Sequence, residues 1–389
     1  MAGISVTLLS LSFGSLWINA VGLKAMAADL GGSRSAPALA NSLAWFGSSV
    51  GGLAMGRLAE RYGIRWTVLF GGVSVCIGLF ISTLGEPWQL SVGHGIFMGL
   101  LGNSGLNAPL YVYVSRWFDR RRGSALALIS SGSYLAGTVW PPLFERAIAL
   151  YGWQATMIGY GLFAIALIVP LALLFLREPP ELPAVTTGTG GTTVTPKVFG
   201  WPPNVVFAML AIAAFLCCVT MSMPQAHLVA FCSDLGITPT HGAAMLSVLL
   251  GVGFLSRQGW GAISDRIGGL LTLLISSVLQ AAGMAGFLLT QDEAGLFAVA
   301  GAFGVGFSAL IPAYVLAIRE YFPAREASWR VPALLLLSGS GMATGTWLAG
   351  IIYDHYGYYA PAFAAGVGFN LLNLAAIGTL VLRSQLARA

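Results

Sequence analysis

Charge is scarce in this chain. Of 389 residues only 19 are basic and 14 acidic, 8% in all, against about 25% in an ordinary soluble domain. A soluble protein of this length surrounds its core with a charged surface, so a cytosolic enzyme is excluded. Cysteine is scarce too: Cys76, Cys217, Cys218 and Cys232 lie in apolar runs without metal-ligand spacing. That excludes a disulfide-stapled secreted fold and leaves the cysteines as packing residues. The composition is far too apolar for a disordered chain. The few basic residues form short separated clusters, which argues against nucleic acid as a partner. No phosphate-cradling loop, metal constellation or Ser/His/acid arrangement is present, so no enzyme, ATP-driven pump or cofactor is expected.

Apolar and small residues dominate instead. Hydrophobic residues reach 57%, and 51 residues are glycine, the residue that lets transmembrane helices pack closely. The apolar runs divide into twelve, from 4–27 to 360–382, each long enough at about 20 residues to cross ~30 Å of hydrocarbon. An all-α membrane protein of twelve transmembrane helices is expected. Residues 177–203, rich in Pro, Thr and Gly, read as a linker between two six-helix bundles, 1–176 and 204–389. With both termini in the cytoplasm, most basic residues fall on inner loops, while Arg34 and Arg146 fall outside. A multi-pass protein of the cell inner (plasma) membrane, functional as a monomer in the lipid bilayer, is expected.

The chain also repeats itself. At a shift of 205 residues Asp29-Leu30-Gly31 falls on Asp234-Leu235-Gly236. At the same shift Gly56, Arg61 and Gly63 fall on Gly261, Arg266 and Gly268, and Tyr151-Gly152 on Tyr356-Gly357. Two similar halves in parallel orientation are the plan of an alternating-access transporter, with its site between them.

The repeated segment Gly56-Arg57-Leu58-Ala59-Glu60-Arg61-Tyr62-Gly63-Ile64-Arg65 resembles the loop 2–3 motif of the major facilitator superfamily, with Glu60 in place of Asp. Its weaker copy runs from Gly261 to Gly268 and includes Asp265 and Arg266. The resemblance implies two pseudo-symmetric six-helix halves and a gating role for these charges; simple topology anchoring is the alternative.

After the fourth run comes Trp117-Phe118-Asp119-Arg120-Arg121-Arg122-Gly123-Ser124-Ala125, closed by Gly132-Ser133. This is similar to the span-5 signature of the monocarboxylate transporters, from which Ser124, Ala127 and Ile129 depart. The bacterial oxalate/formate antiporters carry a similar loop, so the chain resembles a bacterial homologue near that branch.

Arg257 lies eight residues before Asp265, ~12 Å along the helix and close to the bilayer midplane. An arginine there costs ~2.5–3.5 kcal/mol on the lenient insertion scale and needs a partner. Every acidic residue falls at a run's end or in a loop. A guanidinium fork suits a carboxylate bidentately, so an anionic substrate is the expected partner, with backbone carbonyls and water as the alternative. The resemblance agrees: monocarboxylate transporters carry a span-8 arginine that binds the substrate carboxylate. They usually place an Asp one turn earlier, where this chain has Gly253.

Asn103, Asn107 and Tyr111 recur every four residues and share a helix face, expected to line the cavity with Tyr134 and Tyr314. His227 is the candidate proton carrier by titration range, or a packed neutral histidine. Lys24 resembles the span-1 lysine that handles protons in the same family, or simply snorkels. The expected function is secondary active transport of small lactate- or pyruvate-like monocarboxylates, coupled to protons by alternating access. The alternatives are an oxalate/formate-like anion exchanger and a non-transporting carboxylate sensor.

Overall fold

A computed structural model describes residues 2–117, 129–176 and 198–387. The motif residues Phe118 to Ala125 and the 177–197 part of the expected linker lie outside the described residues.

The fold is all-helical, with twelve spanning helices. The first six are α1 (Ala2–Asp29), α2 (Ser35–Tyr62), α3 (Ile64–Ile81), α4, α5 (132–151) and α6 (153–175). Three stretches stacked end to end form α4: Pro87–Val92, a π-helical Gly93–Asn103, and Ser104–Trp117. The last six are α7 (Pro203–Asp234), α8 (Pro239–Ile267), α9 (Gly269–Leu289), α10 (Glu293–Tyr321), α11 (Ala324–Tyr356) and α12 (Ala360–Leu386).

Local chemistry sets the helix ends. Pro203 and Pro239 occupy first-turn positions, where a missing N–H costs nothing. Glu86 and Gln89 form a capping box at the start of α4, and the Asp292 carboxylate accepts the Gly295 N–H at 2.7 Å to start α10. The internal repeat is largely a repeat of helix terminators. Gly63 and Gly268 both have φ above 80° where α2 meets α3 and α8 meets α9, and Gly152 and Gly357 do the same at their junctions. Residues with a Cβ are disfavoured there, so the fold keeps glycine at both copies.

Helix α1 is buried along nearly its whole length, and α7 from Cys217 to Cys232. By contrast α3, α6, α9 and α12 expose apolar side chains, among them Phe70, Phe163, Ile275 and Leu371. An apolar exterior is what a lipid-facing surface requires. Close approach depends on glycine where α4 crosses α2: the backbone of Gly99 lies against Ala44, and that of Gly47 against Gly95 and Leu100.

Candidate substrate site and the contacts that close one end

Arg257 projects from α8 at the seam between the first and last six helices. Its guanidinium carbon lies 5.0 Å from the ring centroid of Tyr134 on α5. Such a cation–π contact contributes about 0.5–2 kcal/mol, more as water is excluded. Tyr134 is itself held by stacking on Phe307 of α10, with centroids 5.7 Å apart and planes 10° from parallel. Tyr111 of α4 lies within electrostatic range of the same guanidinium. Asn107, one turn away from Tyr111, has a buried side-chain oxygen without a partner. Among the described residues no carboxylate forms an ion pair with Arg257.

The glycine at 253 has a local cause. A Cβ there would lie 3.1 Å from the Tyr134 ring, so an aspartate one turn before Arg257 would have to displace that ring. Hydrogen bonds from Ser256 to Ser308 (2.8 Å) and from Gln258 to Ser131 (3.4 Å) tie α8 to α10 and α5 on either side of Arg257.

The structure thus brings Arg257, Tyr134 and Tyr111 together, with Asn107 one turn above. Other expected site residues stand elsewhere. Asn103 ends the π-helical stretch fully buried, and its oxygen accepts the Ser12 hydroxyl of α1 at 2.6 Å. Tyr314 is sealed inside the last six helices, where it donates to Asn373 at 2.8 Å. That contact belongs to a polar network in which Asn373 reaches Ser277 and Asn370 reaches Gln280. His227 is fully buried, with Nε2 2.9 Å from the Thr346 carbonyl and Nδ1 3.0 Å from the Tyr359 hydroxyl. A carbonyl can only accept, so Nε2 carries the hydrogen it donates. The ring is packed with both nitrogens engaged and makes no contact with Arg257.

Lys24 belongs to a second constellation, at the Arg34 end of the bundle. Asp234, the last residue of α7, receives two 2.6 Å bonds from the Arg34 guanidinium. Lys24 approaches the same carboxylate at 3.3 Å and donates to Ser233 at 2.9 Å. The Arg34 side chain is only 6% exposed and lies 3.7 Å from the Tyr353 ring centroid. Burial is the largest single effect and pulls its pKa down, but the hydrogen bonds and charge interactions with Asp234 and Tyr359 together outweigh it and the net shift is upward, so the lock keeps its charge. Alongside, the Asp354 carboxylate of α11 accepts the Ser33 hydroxyl (2.6 Å) and the Arg34 and Ser35 N–H groups (2.8 and 2.9 Å). The first loop is therefore clamped to the ends of both α7 and α11.

The sequence placed Arg34 outside by the distribution of basic residues and gave Asp234 only as part of the repeat, without pairing the two. The repeat gave no warning, because Asp29, the exposed counterpart of Asp234, stays within the first six helices and accepts the Trp153 indole N–H at 2.7 Å.

At the opposite end the repeated motif is looser. Arg65 donates to the Leu176 carbonyl at 3.2 Å, Arg61 lies 5.4 Å from the ring centroid of its neighbour Tyr62, and Glu60 is also engaged. Gly56 has open space where a Cβ would point. Asp265 and Arg266 are exposed and form no ion pair among the described residues. Glu320 instead receives the Gly269 N–H at 3.0 Å, placing negative charge at the start of α9, where the helix dipole favours it.

Known proteins place this arrangement. Monocarboxylate transporter 13 of Bos taurus is 26% identical over 341 residues, covering 86% of this chain and 77% of its own length. MFS-type transporter 1 of Ophiocordyceps sp. (strain BCC 1869) is 29% identical over 264 residues, 66% of this chain and 56% of the fungal protein. Among solved structures, the nucleoside transporter NupG superposes with a TM-score of 0.75 at 13% identity, over 98% of this chain and 100% of its own. Residues 6–328 match the family's sequence profile, and the chain belongs to the Major Facilitator Superfamily.

Proposed function

We propose that this secondary transporter carries small monocarboxylates of the lactate or pyruvate kind, with Arg257 as the residue that receives the carboxylate. One observation carries the reading: a guanidinium at the seam of the two sets of six helices, backed by Tyr134 and Tyr111, with no carboxylate paired to it among the described residues. A fixed positive charge between the two halves is costly until an anion arrives. Binding then neutralises the seam and lets the halves rock about it. The similarity to a monocarboxylate transporter supports the same substrate class.

In this reading the halves are 1–176 and 204–389, joined by 177–203, and both termini lie in the cytoplasm of a plasma-membrane protein that works as a monomer. The Arg34 end then faces outward and is locked shut, while Asp265 and Arg266, which form no ion pair among the described residues, lie at the inner end. The proton accompanies the substrate. His227 has both ring nitrogens engaged and Lys24 is held in the outer lock, so the substrate itself is the natural carrier.

The test is uptake of labelled lactate into otherwise empty proteoliposomes under an imposed pH gradient. Uptake is expected in the wild type and absent from Arg257→Gln. Unchanged uptake by Arg257→Gln and Arg257→Lys would sink the assignment. The engaged state of His227 also favours a second reading, obligate anion exchange, in which empty liposomes stay silent and lactate-loaded ones do not.

A further inference from the structure

Where α1, α2 and α11 meet, Trp17, Asn41 and Thr346 surround a cavity of about 10 Å³, which Ser222 and Gln225 of α7 also line. Thr346 stands eight residues before Asp354, so the cavity lies ~12 Å inside the Arg34 end. Trp17, Asn41 and Thr346 are only 5%, 3% and 1% exposed. Each carries a buried polar atom without a partner: the indole Nε1, the amide Oδ1 and the hydroxyl. Three such atoms around one space are unusual, since buried polar groups almost always find partners.

The volume limits what can enter. A cavity of this size takes one water molecule and nothing larger. The chemistry agrees. An indole N–H only donates, an amide oxygen only accepts, and a hydroxyl does either. An anion would face the Asn41 oxygen and a cation the Trp17 N–H, and no charged side chain lines the cavity to offset either. A water molecule accepts from Trp17, donates to Asn41 and shares a bond with Thr346. Leaving three buried groups unsatisfied costs more than holding one water in place.

We infer that this cavity is the site of one resident water that joins the two sets of six helices. Its partners are α1 and α2 on one side of the seam and α11 on the other. The link continues into α7, because the Thr346 carbonyl lies 2.9 Å from Nε2 of His227. It is a neutral counterpart, deeper in the seam, of the charged contact between Arg34 and Asp234. When α11 parts from α1 and α2 the three partners separate, so the site belongs to the arrangement of the halves seen here. The inference is independent of which substrate is carried.

The experiment is hydroxyl-radical footprinting by X-ray pulse on the full chain in nanodiscs, read residue by residue by mass spectrometry. Radicals formed from a bound water oxidise the side chain beside it. Trp153, 2% exposed and with its N–H held by Asp29, is the internal standard. In the wild type Trp17 should be oxidised several-fold faster than Trp153. Thr346→Val should slow Trp17, and Thr346→Val combined with Asn41→Leu should bring it down to the Trp153 rate. Thr346→Ser keeps the hydroxyl and should keep the wild-type rate. Melting temperatures identify any variant that fails to fold, and the comparison within the wild type needs no variant. If Trp17 is oxidised no faster than Trp153, or as fast in the folded double variant as in the wild type, no water is held there and the proposal is wrong.

Discussion

Arg34 and Asp234 meet end on, joined by two bonds of 2.6 Å that run from the first loop to the last residue of α7. Lys24 of α1 adds a second cation to the same carboxylate at 3.3 Å. One acid thus holds two bases across the seam. This cross-seam contact stabilises the conformation seen.

Asp234→Asn should release it. Breaking a buried pair at one partner costs about 3–5 kcal/mol when both groups are fully buried; Asp234 is 25% exposed, so the low end applies. A bias of about 3 kcal/mol is roughly two orders of magnitude in population. Spin labels at the exposed Glu86 and Gln291 should report a longer distance in Asp234→Asn than in the wild type. An unchanged distance distribution would show that the lock does not set the conformational balance. Lys24→Met, which removes a half-exposed partner, should have a much smaller effect.

Tyr134 gives a graded test of the Arg257 site. Its ring both backs the guanidinium and stacks on Phe307. Tyr134→Leu loses the aromatic face, worth about 1 kcal/mol, so the KM for lactate should rise about fivefold. Tyr134→Phe keeps the face and should retain a KM near the wild-type value. Equal defects in both variants would move the effect from the ring to the hydroxyl.

His227 should matter for stability rather than coupling. Replacing it with Ala removes the contacts to the Tyr359 hydroxyl and the Thr346 carbonyl from a fully buried position, at about 1–3 kcal/mol. A lowered melting temperature with an unaltered pH profile of uptake is expected. The reverse outcome, an intact melting temperature and a flattened pH profile, would make His227 the proton carrier.

Some of this was readable from the chain and some was not, for physical reasons. Helix number follows from hydropathy, because a bilayer penalises any uncovered backbone. The 205-residue repeat followed the positive-φ glycines, because Gly63 and Gly268, or Gly152 and Gly357, must make the same break twice. Arg257 stood out because every carboxylate lies near a helix end. What stayed hidden depends on rotation of one helix against another. Asn103, Asn107 and Tyr111 are evenly spaced, yet the π-helical stretch ends at Asn103 and Asn103 packs on α1 while Tyr111 reaches the seam. Tyr314 looked like a cavity tyrosine until Asn373, far along the chain, proved to be its partner.

The contact between α7 and α11 supplies the last prediction, because both helices end in the carboxylates that hold Arg34. Gly345 presses its backbone onto the Val219 carbonyl and the Ser222 hydroxyl, one residue before Thr346, whose carbonyl lies 2.9 Å from His227 Nε2 of α7. A methyl group at Gly345 has no space, so α11 must move away from α7. Overpacking of this kind costs about 1–3 kcal/mol. Gly345→Ala should therefore melt several degrees lower than the wild type. Gly368→Ala, on α12 with nothing within 4 Å of the added methyl, is the matched control and should melt like the wild type. If Gly345→Ala also melted like the wild type, the tight crossing of α7 and α11 would not hold.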